Sequence, residues 1–427
     1  MEQSQNKKFA PLYLFLVLFA LCIGALFFIT RSSSRSASQT FKETNLLAPH
    51  AKKDATWQQE KDLAQMVERG GHMVQTLMDG TTITYTIDPA LQLFVTGELK
   101  KYEIPYGAAV MVDLPSGKVR VMAGYSKENP KLTHGELVLK AWAPAASLIK
   151  VVTASILLEG GKINPTQPVC YNGGKQGLKP FHFTDDPQKD TQCEDLYSAL
   201  GNSNNAVFGK LSQRHITREQ YLEMGNRLGF NRTLPFAFPV DKSSLIISTS
   251  SKYAVGYTGA GFGNATLSPF HAAWLMATIA SGGISRELRI IRSVRDPRGK
   301  PIFRPTKEAG ENKTLLNATT VQQLTAMLRK TVSEGTAREA FFSKSDTELL
   351  SFPTVGKTGT LSRNEPHYLQ YTWFAGFAPQ TNPRVAFAII IVNPAKWRTK
   401  ATYMAQRLLL RYFSRFSAKT PAMGPSS

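Results

Sequence analysis

Cysteine is almost missing from this 427-residue chain, which has three, Cys22, Cys170 and Cys193. No C-x-x-C or H-x-x-x-H spacing accompanies them or His182, which lies between the last two, so no zinc site is expected. Acidic residues are scarce as well, 31 against 51 Lys and Arg, for a formal charge of +20. That balance favours anionic surroundings such as phospholipid headgroups, wall polymers or nucleic acid, and by itself does not choose among them. The basic residues are scattered, and no zinc-finger, RNP-like or helix-turn-helix pattern is present, so nucleic-acid binding is not expected. Internal repeats are lacking too. What the chain does have is 42% apolar and 10% aromatic residues, the content of a core former, which argues against disorder as its main state.

One uncharged run stands out. Residues Pro11 to Ile29 (PLYLFLVLFALCIGALFFI) would span about 30 Å as a helix, enough for a bilayer core. Lys7 and Lys8 precede it while Arg31 and Arg35 follow, so flanking charge orients it only weakly. The expectation is an uncleaved single-pass anchor, with residues 1–10 as a short cytoplasmic tail and the rest exported. The rival is a cleaved signal peptide; its small residues, Ser36, Ala37 and Ser38, lie well past the apolar run and behind two arginines. Cys22 belongs to the span. In an oxidising compartment Cys170 and Cys193 suggest a disulfide closing the loop between them, with two isolated thiols as the alternative.

Residues 31 to about 55 are Ser-rich and basic and read as a flexible tether, and 56–79 carry some helical pattern, making 30–79 a tether with a short helical linker. TTITYTID (81–88) alternates as a strand, and Pro89 starts a helix through Tyr102. YGAAVMVDLPSGKVRVMAGY holds two β-rich runs about Leu114-Pro115-Ser116-Gly117, a hairpin. A second hairpin lies far downstream, 371–379 and 384–392, with its turn at Gln380 to Pro383. Helical patterns fill the interval: the run opened by Ser147, 194–213, and 269–283 with its double-glycine stop. TYMAQRLLLRYF (402–413) is amphipathic and suited to covering one face of a sheet. Strands at both ends with helices between predict an α+β fold, one antiparallel sheet with an inserted helical subdomain, over residues 80–415, then a flexible tail, 416–427.

Chemistry gathers at three places. PAASLIKVVTA (144–154) sets Ser147 and Lys150 at i,i+3 near a helix start, with Pro144 in the first turn and Gly160-Gly161 ending the helix. A serine hydroxyl is a poor nucleophile until a base takes its proton, and a lysine amine in a water-poor pocket can lose its charge and serve as that base. The helix N-terminus adds N–H groups suited to an oxyanion. Alone, the pair is in most such matches a helix-start serine beside a solvated lysine. ALGNSNNAVF contains Ser203-Asn204-Asn205, an S-x-N triplet that is otherwise a helix cap. TVGKTGTLS contains Lys357-Thr358-Gly359-Thr360 in a β-prone segment on an inner strand beside the second hairpin. There glycine admits a ligand backbone and lysine and threonines can hold a carboxylate; otherwise it is a turn with a surface lysine. Together, in the order S-x-x-K, S-x-N, K-T-G, they are far more specific than singly.

On these motifs the sequence resembles a penicillin-binding protein transpeptidase domain, of the serine acyltransferase family shared with serine β-lactamases. The likeness continues through TYTIDPALQ, AAVMVDLPSGKVRVMA, GAGFGNATLSPFHAAWLMATIASGG, SEGTA (333–337) and TWFAGFAP, nearly all of residues 81–393. It implies a five-stranded antiparallel sheet flanked by helices, and Ser147 as acylated nucleophile with Lys150 as general base. Ser203 would relay a proton to the leaving amine, and Asn205 would bind the substrate's peptide backbone. Lys357 would tune the site, and Thr358 and Thr360, with Gly359 between them, would bind the terminal carboxylate. The N–H groups of Ser147 and Thr360 would form the oxyanion hole.

The activity so implied is peptidoglycan D,D-transpeptidation, needing no metal and no cofactor. The alternatives are a D,D-carboxypeptidase, a serine β-lactamase, or a non-catalytic β-lactam sensor or scaffold. Implied partners are peptidoglycan stem peptides, β-lactams as covalent inhibitors, the membrane through residues 11–29, and other cell-wall synthesis proteins. The implied place is the bacterial inner membrane, catalytic domain in the periplasm. Two departures are visible: Ala146 where many members have Gly, and Leu148-Ile149 for the commoner Thr-Phe-like pair. The tether is also too short for a glycosyltransferase domain or a large pedestal, so a nearly bare transpeptidase domain on an anchor is expected.

Overall fold

Alternation of side chains decides which layers the strands separate. The computed structural model describes residues 57–175, 177–249, 251–305, 312–364 and 367–417. The anticipated cytoplasmic tail, anchor at 11–29, tether to residue 56 and tail from 418 lie outside them. Among the described residues no helix is long and apolar enough to cross a membrane.

Helical turns at Trp57–Glu60 and Leu63–Gln65 precede β1 (Val67–Arg69), β2 (His72–Thr76) and β3 (Thr82–Tyr85). Helix α1 (Pro89–Lys101) follows, capped by Asp88, whose carboxylate accepts from the Leu91 N–H, with Pro89 where no N–H is needed. The first hairpin is β4 (Tyr106–Asp113) and β5 (Lys118–Tyr125), turning through Gly117 at φ +66°. Then come α2 (His134–Leu139), β6 (Ala143–Pro144), a 3-10 turn (Ala146–Ile149) and α3 (Lys150–Glu159). Next are β7 (Val169–Tyr171), β8 (Gln192–Glu194), α4 (Leu196–Gly201), α5 (Asn205–His215), α6 (Arg218–Arg227) and β9 (Leu245–Ile246). They lead into α7 (Lys252–Ala260), β10 (Asn264–Leu267), α8 (Pro269–Ala280), β11 (Ile291–Arg295), β12 (Pro301–Phe303) and α9 (Ala318–Ser333). The chain closes with β13 (Val355–Arg363), β14 (Leu369–Ala378), β15 (Val385–Asn393) and α10 (Ala401–Ser417).

The main sheet has five antiparallel strands in the order β13-β14-β15-β4-β5. Early and late hairpins therefore join through the β15–β4 pair, with the helical segment inserted between β5 and β13. Because both sheet faces are covered, β15 is buried along its whole length and reads as a continuous apolar run. Its odd and even residues part company. Ala386, Ala388, Ile390 and Val392 join the core that contains α8, whereas Val385, Phe387, Ile389 and Ile391 join the one that contains α1 and α10. The amphipathic terminal helix thus does cover a sheet face, and it continues through Ser417, two residues into the stretch expected to be tail.

A second five-stranded sheet, β1-β2-β3-β11-β12, was not anticipated. It takes up residues 67–76, expected to be helical: Gly70 and Gly71, at φ +59° and +77°, turn β1 back on β2, and β2 pairs with β3. Partners supplied from residues 291–303 override a weak local helical period. Cys170 and Cys193 face each other in the β7–β8 pair and are joined by a disulfide.

Leu408 of α10 is fully buried against the sheet. Leu408→Ala should cost about 2–5 kcal/mol, read as a lowered urea midpoint at unchanged slope.

Candidate active site

The turn that carries Ser147 is held from two sides. Pro144 is not in a helical first turn as expected; it lies in β6 opposite Thr266 of β10, because the Ala145 N–H donates to the Ala265 carbonyl (2.9 Å). The Pro144 carbonyl accepts from Trp373 Nε1 on β14, also at 2.9 Å. The chain then swings into the 3-10 turn through Ala146, at φ +46°. A left-handed alanine costs roughly 1–2 kcal/mol, and such strain persists only where the surroundings over-determine it. Close packing does so. A Cβ on Gly261, itself at φ +104°, would stand 2.9 Å from the Ala146 carbonyl oxygen, and one on Gly359 would meet Ala146 Cβ at 3.5 Å. The K-T-G segment of β13 thus lies beside the turn that carries Ser147, at ordinary van der Waals distance, and the tighter neighbour of Gly359 is Trp373 of β14 at 3.3 Å.

Lys150 opens α3 and is completely buried. Its Nζ lies 2.8 Å from Ser147 Oγ, 2.6 Å from Asn205 Oδ1, 2.7 Å from the Ala260 carbonyl and 3.4 Å from Ser203 Oγ. The Asn205 amide is oriented by its other end, Nδ2, which donates to the Lys175 carbonyl at 2.8 Å, so the atom facing Lys150 is the oxygen. Burial, with the Lys357 ammonium second, pushes the Lys150 amine well below the ordinary lysine range. A neutral amine has two hydrogens and one lone pair. Asn205 Oδ1 and the Ala260 carbonyl, which only accept, take the hydrogens, and the lone pair is left for the serine hydroxyls.

The three motifs meet here. Ser203 occupies the loop between α4 and α5, half-buried and at φ +54°, and Asn204 caps α5 by accepting from the N–H groups of Ala206 and Val207. Asn205 was expected to face substrate, yet both ends of its amide are engaged within the protein, on Lys150 and Lys175. Lys357 is buried, its Nζ donating to the Thr358 carbonyl (2.9 Å), and burial lowers its pKa to about 7. Thr358 is half-buried and Thr360 exposed on β13, which is an edge strand and not the inner one expected, so one side of it faces away from the ladder. Thr336 of SEGTA, to which no role was assigned, bonds hydroxyl to hydroxyl with Thr358. Two further contributors, the carbonyls of Ala260 and Lys175, carry no side-chain signature. Among the described residues no group of three His, Cys, Asp or Glu could hold a metal.

Residues 107–410 match the penicillin binding protein transpeptidase domain. The chain belongs to this family. Among relatives of the transpeptidase domain, penicillin-binding protein PbpB of Mycobacterium tuberculosis is 24% identical over 354 residues, 74% of this chain and 49% of PbpB. Stage V sporulation protein D of Bacillus subtilis is 21% identical over 333 residues, 74% of this chain and 50% of that protein. The chain thus spans about half the length of these two relatives. Penicillin-binding protein A of M. tuberculosis has the same fold, at a TM-score of 0.64 and 20% identity over 78% of this chain and 82% of that one. Its imipenem acyl-enzyme complex matches at 0.64 as well.

Lys357 makes stability of this transpeptidase fold depend on pH. Between a folded value of about 7 and the ordinary 10.5 the unfolded chain holds a proton that the folded one lacks, so stability rises with pH across that window and falls on acidification. Lys357→Met should flatten the slope by at most about 1.4 kcal/mol per pH unit, measured by urea unfolding at several pH values within the window.

Proposed function

We propose that the chain is a peptidoglycan D,D-transpeptidase that cross-links stem peptides through an acyl-serine intermediate and binds β-lactams covalently. The observation that carries this reading is the fully buried Lys150 amine, 2.8 Å from Ser147 Oγ with its other two close partners both acceptors. Lys150 takes the Ser147 proton as Oγ attacks the carbonyl of the terminal D-Ala-D-Ala amide. The developing oxyanion is met by the N–H groups of Ser147 and Thr360, on two segments that lie side by side where Gly359 faces Ala146. Collapse breaks the C–N bond, and the proton passes from Lys150 through Ser203, 3.4 Å away, to the leaving amine of D-alanine. A neighbouring stem peptide's amine then attacks the acyl-serine by the reverse route; water in its place would make the same site a carboxypeptidase. Thr358, Thr360 and Thr336 offer hydroxyls to the substrate carboxylate beside the Lys357 amine, and Asn205 holds the base.

Residues 80–415 form the catalytic unit in this reading, and the strands of 67–76 extend its second sheet by pairing with β3. The uncharged run 11–29 would anchor it in the bacterial inner membrane with the site on the periplasmic side, among other wall-synthesis proteins. Residues 31 to about 55, which follow that run, are basic and Ser-rich, as a tether near anionic headgroups and wall polymer would be.

Incubation with a fluorescent penicillin, followed by mass spectrometry of the labelled peptide, should locate the adduct on Ser147, and Ser147→Ala should label not at all. An adduct on any other residue would overturn the assignment. Lys150→Met should slow acylation by about a hundredfold or more while leaving the urea transition cooperative; near-normal labelling would remove lysine from the role of base.

A further inference from the structure

Both residues flanking the left-handed Ser203 reach back to one carboxylate. Asn202 Nδ2 and Asn204 Nδ2 donate to Glu194 at 3.3 and 3.1 Å, Tyr171 Oη donates at 3.0 Å, and the Lys175 ammonium pairs with it at 3.3 Å. Glu194 is the last residue of β8, next to Cys193 of the disulfide, and its side chain is 12% exposed. Lys175, in the loop that the disulfide closes, supplies the carbonyl that fixes the Asn205 amide, and Asn205 in turn holds the Lys150 amine. No other acidic side chain is bonded to the S-x-N turn among the described residues. One carboxylate therefore joins the cross-linked β7–β8 hairpin to the turn that carries the relay serine and to the helix start that carries Asn205.

We propose that Glu194 is a positioning residue for the Lys150 amine and the Ser203 hydroxyl, clamping the disulfide-bound hairpin against the S-x-N turn so that the base keeps its lone pair on Ser147. The proposal rests on the acyl-transfer reading above and extends it to a residue outside the three motifs. Two features make the clamp necessary. Serine has no particular tolerance for φ +54°, so its neighbours must hold it there. And the Asn205 oxygen faces Lys150 only as long as the Lys175 carbonyl stays in place to take Nδ2.

The groups around the amine are Ser147 from the 3-10 turn, Ser203, Asn205 and the Phe208 ring of α5, the Ala260 carbonyl of α7, and the Lys357 amine on β13, which is the charge facing it. Around Glu194 they are Tyr171 and Lys175. Loosening the hairpin admits water to Lys150, which raises its proton affinity, so base catalysis begins at higher pH.

The test is the acylation rate constant of the full chain with fluorescent penicillin across pH, with the Lys150 titration followed in parallel by NMR on protein labelled with 13C at lysine Cε. Glu194→Ala should lower the rate at neutral pH about tenfold and move both the acidic limb and the Lys150 titration to higher pH. Glu194→Gln, which keeps an acceptor oxygen for Tyr171 and Asn202 but turns a donor toward Asn204 and loses the Lys175 ion pair, should recover part of the rate and return the limb part of the way to its original place. If Glu194→Ala does not fold, the Cys170→Ser/Cys193→Ser double variant takes its place and should shift the limb in the same direction. A Lys150 titration left unmoved in the variants overturns the proposal, whether or not the rate falls, because a purely structural residue would lower the rate without moving it. A wild type that never labels on Ser147 overturns the acyl-transfer reading instead, and the titration still decides the role of Glu194.

Discussion

A lysine amine with no carboxylate among its hydrogen-bond partners, shut away from water, is the constraint that the rest of the site serves. Taking an ammonium out of water without a counter-charge is costly enough that the group gives up its proton instead. The protein itself supplies the contrast. Lys210 is buried to nearly the same degree, but Asp185 and Asp190 both pair with it, whereas the partners of Lys150 are two hydroxyls, an amide and a carbonyl. Acids stand against the Lys210 nitrogen; none stands against that of Lys150, and burial pushes that amine toward its neutral form.

Keeping that amine dry requires close packing from four separate segments. The sheet contributes through Trp373, which ties the Ser147 turn to β14, and through Gly359 of β13, which lies against Ala146 and Trp373. Helix α7 contributes through Gly261, whose lack of a side chain leaves room for the Ala146 carbonyl, and through the Ala260 carbonyl. The S-x-N turn contributes Ser203 and Asn205, the latter steadied by the cross-linked hairpin. Left-handed backbone at Ala146 and Ser203 is the conformational cost of this convergence, and it falls at the two serines' own turns.

Much of the scaffold was legible beforehand, and the reason is local. The helix from Pro89, both hairpins and the double-glycine helix stop are written in periodicity and turn chemistry within a few residues. The same holds for the amphipathic face of α10. The second sheet was not legible, since β1 and β2 owe their form to β3 and, through it, to strands some two hundred residues away. Pro144 was misplaced for a similar reason: proline suits a helical first turn by itself, but pairing with Thr266 makes it a strand residue.

The site divides along the same line. The sequence by itself determined which functional groups exist, a serine and a lysine one helical turn apart, a second serine with an amide, and a lysine–threonine–glycine strand, because residue types and spacings are covalent facts. It also determined that a glycine separates the two threonines of that strand. Tertiary structure alone decided that Lys150 is dry, that Asn205 turns inward to Lys175 and Lys150, that Thr336 joins Thr358, and that β13 is an edge. Protonation, amide orientation and strand position depend on what surrounds a group in space, and those surroundings are assembled from segments that no local pattern connects.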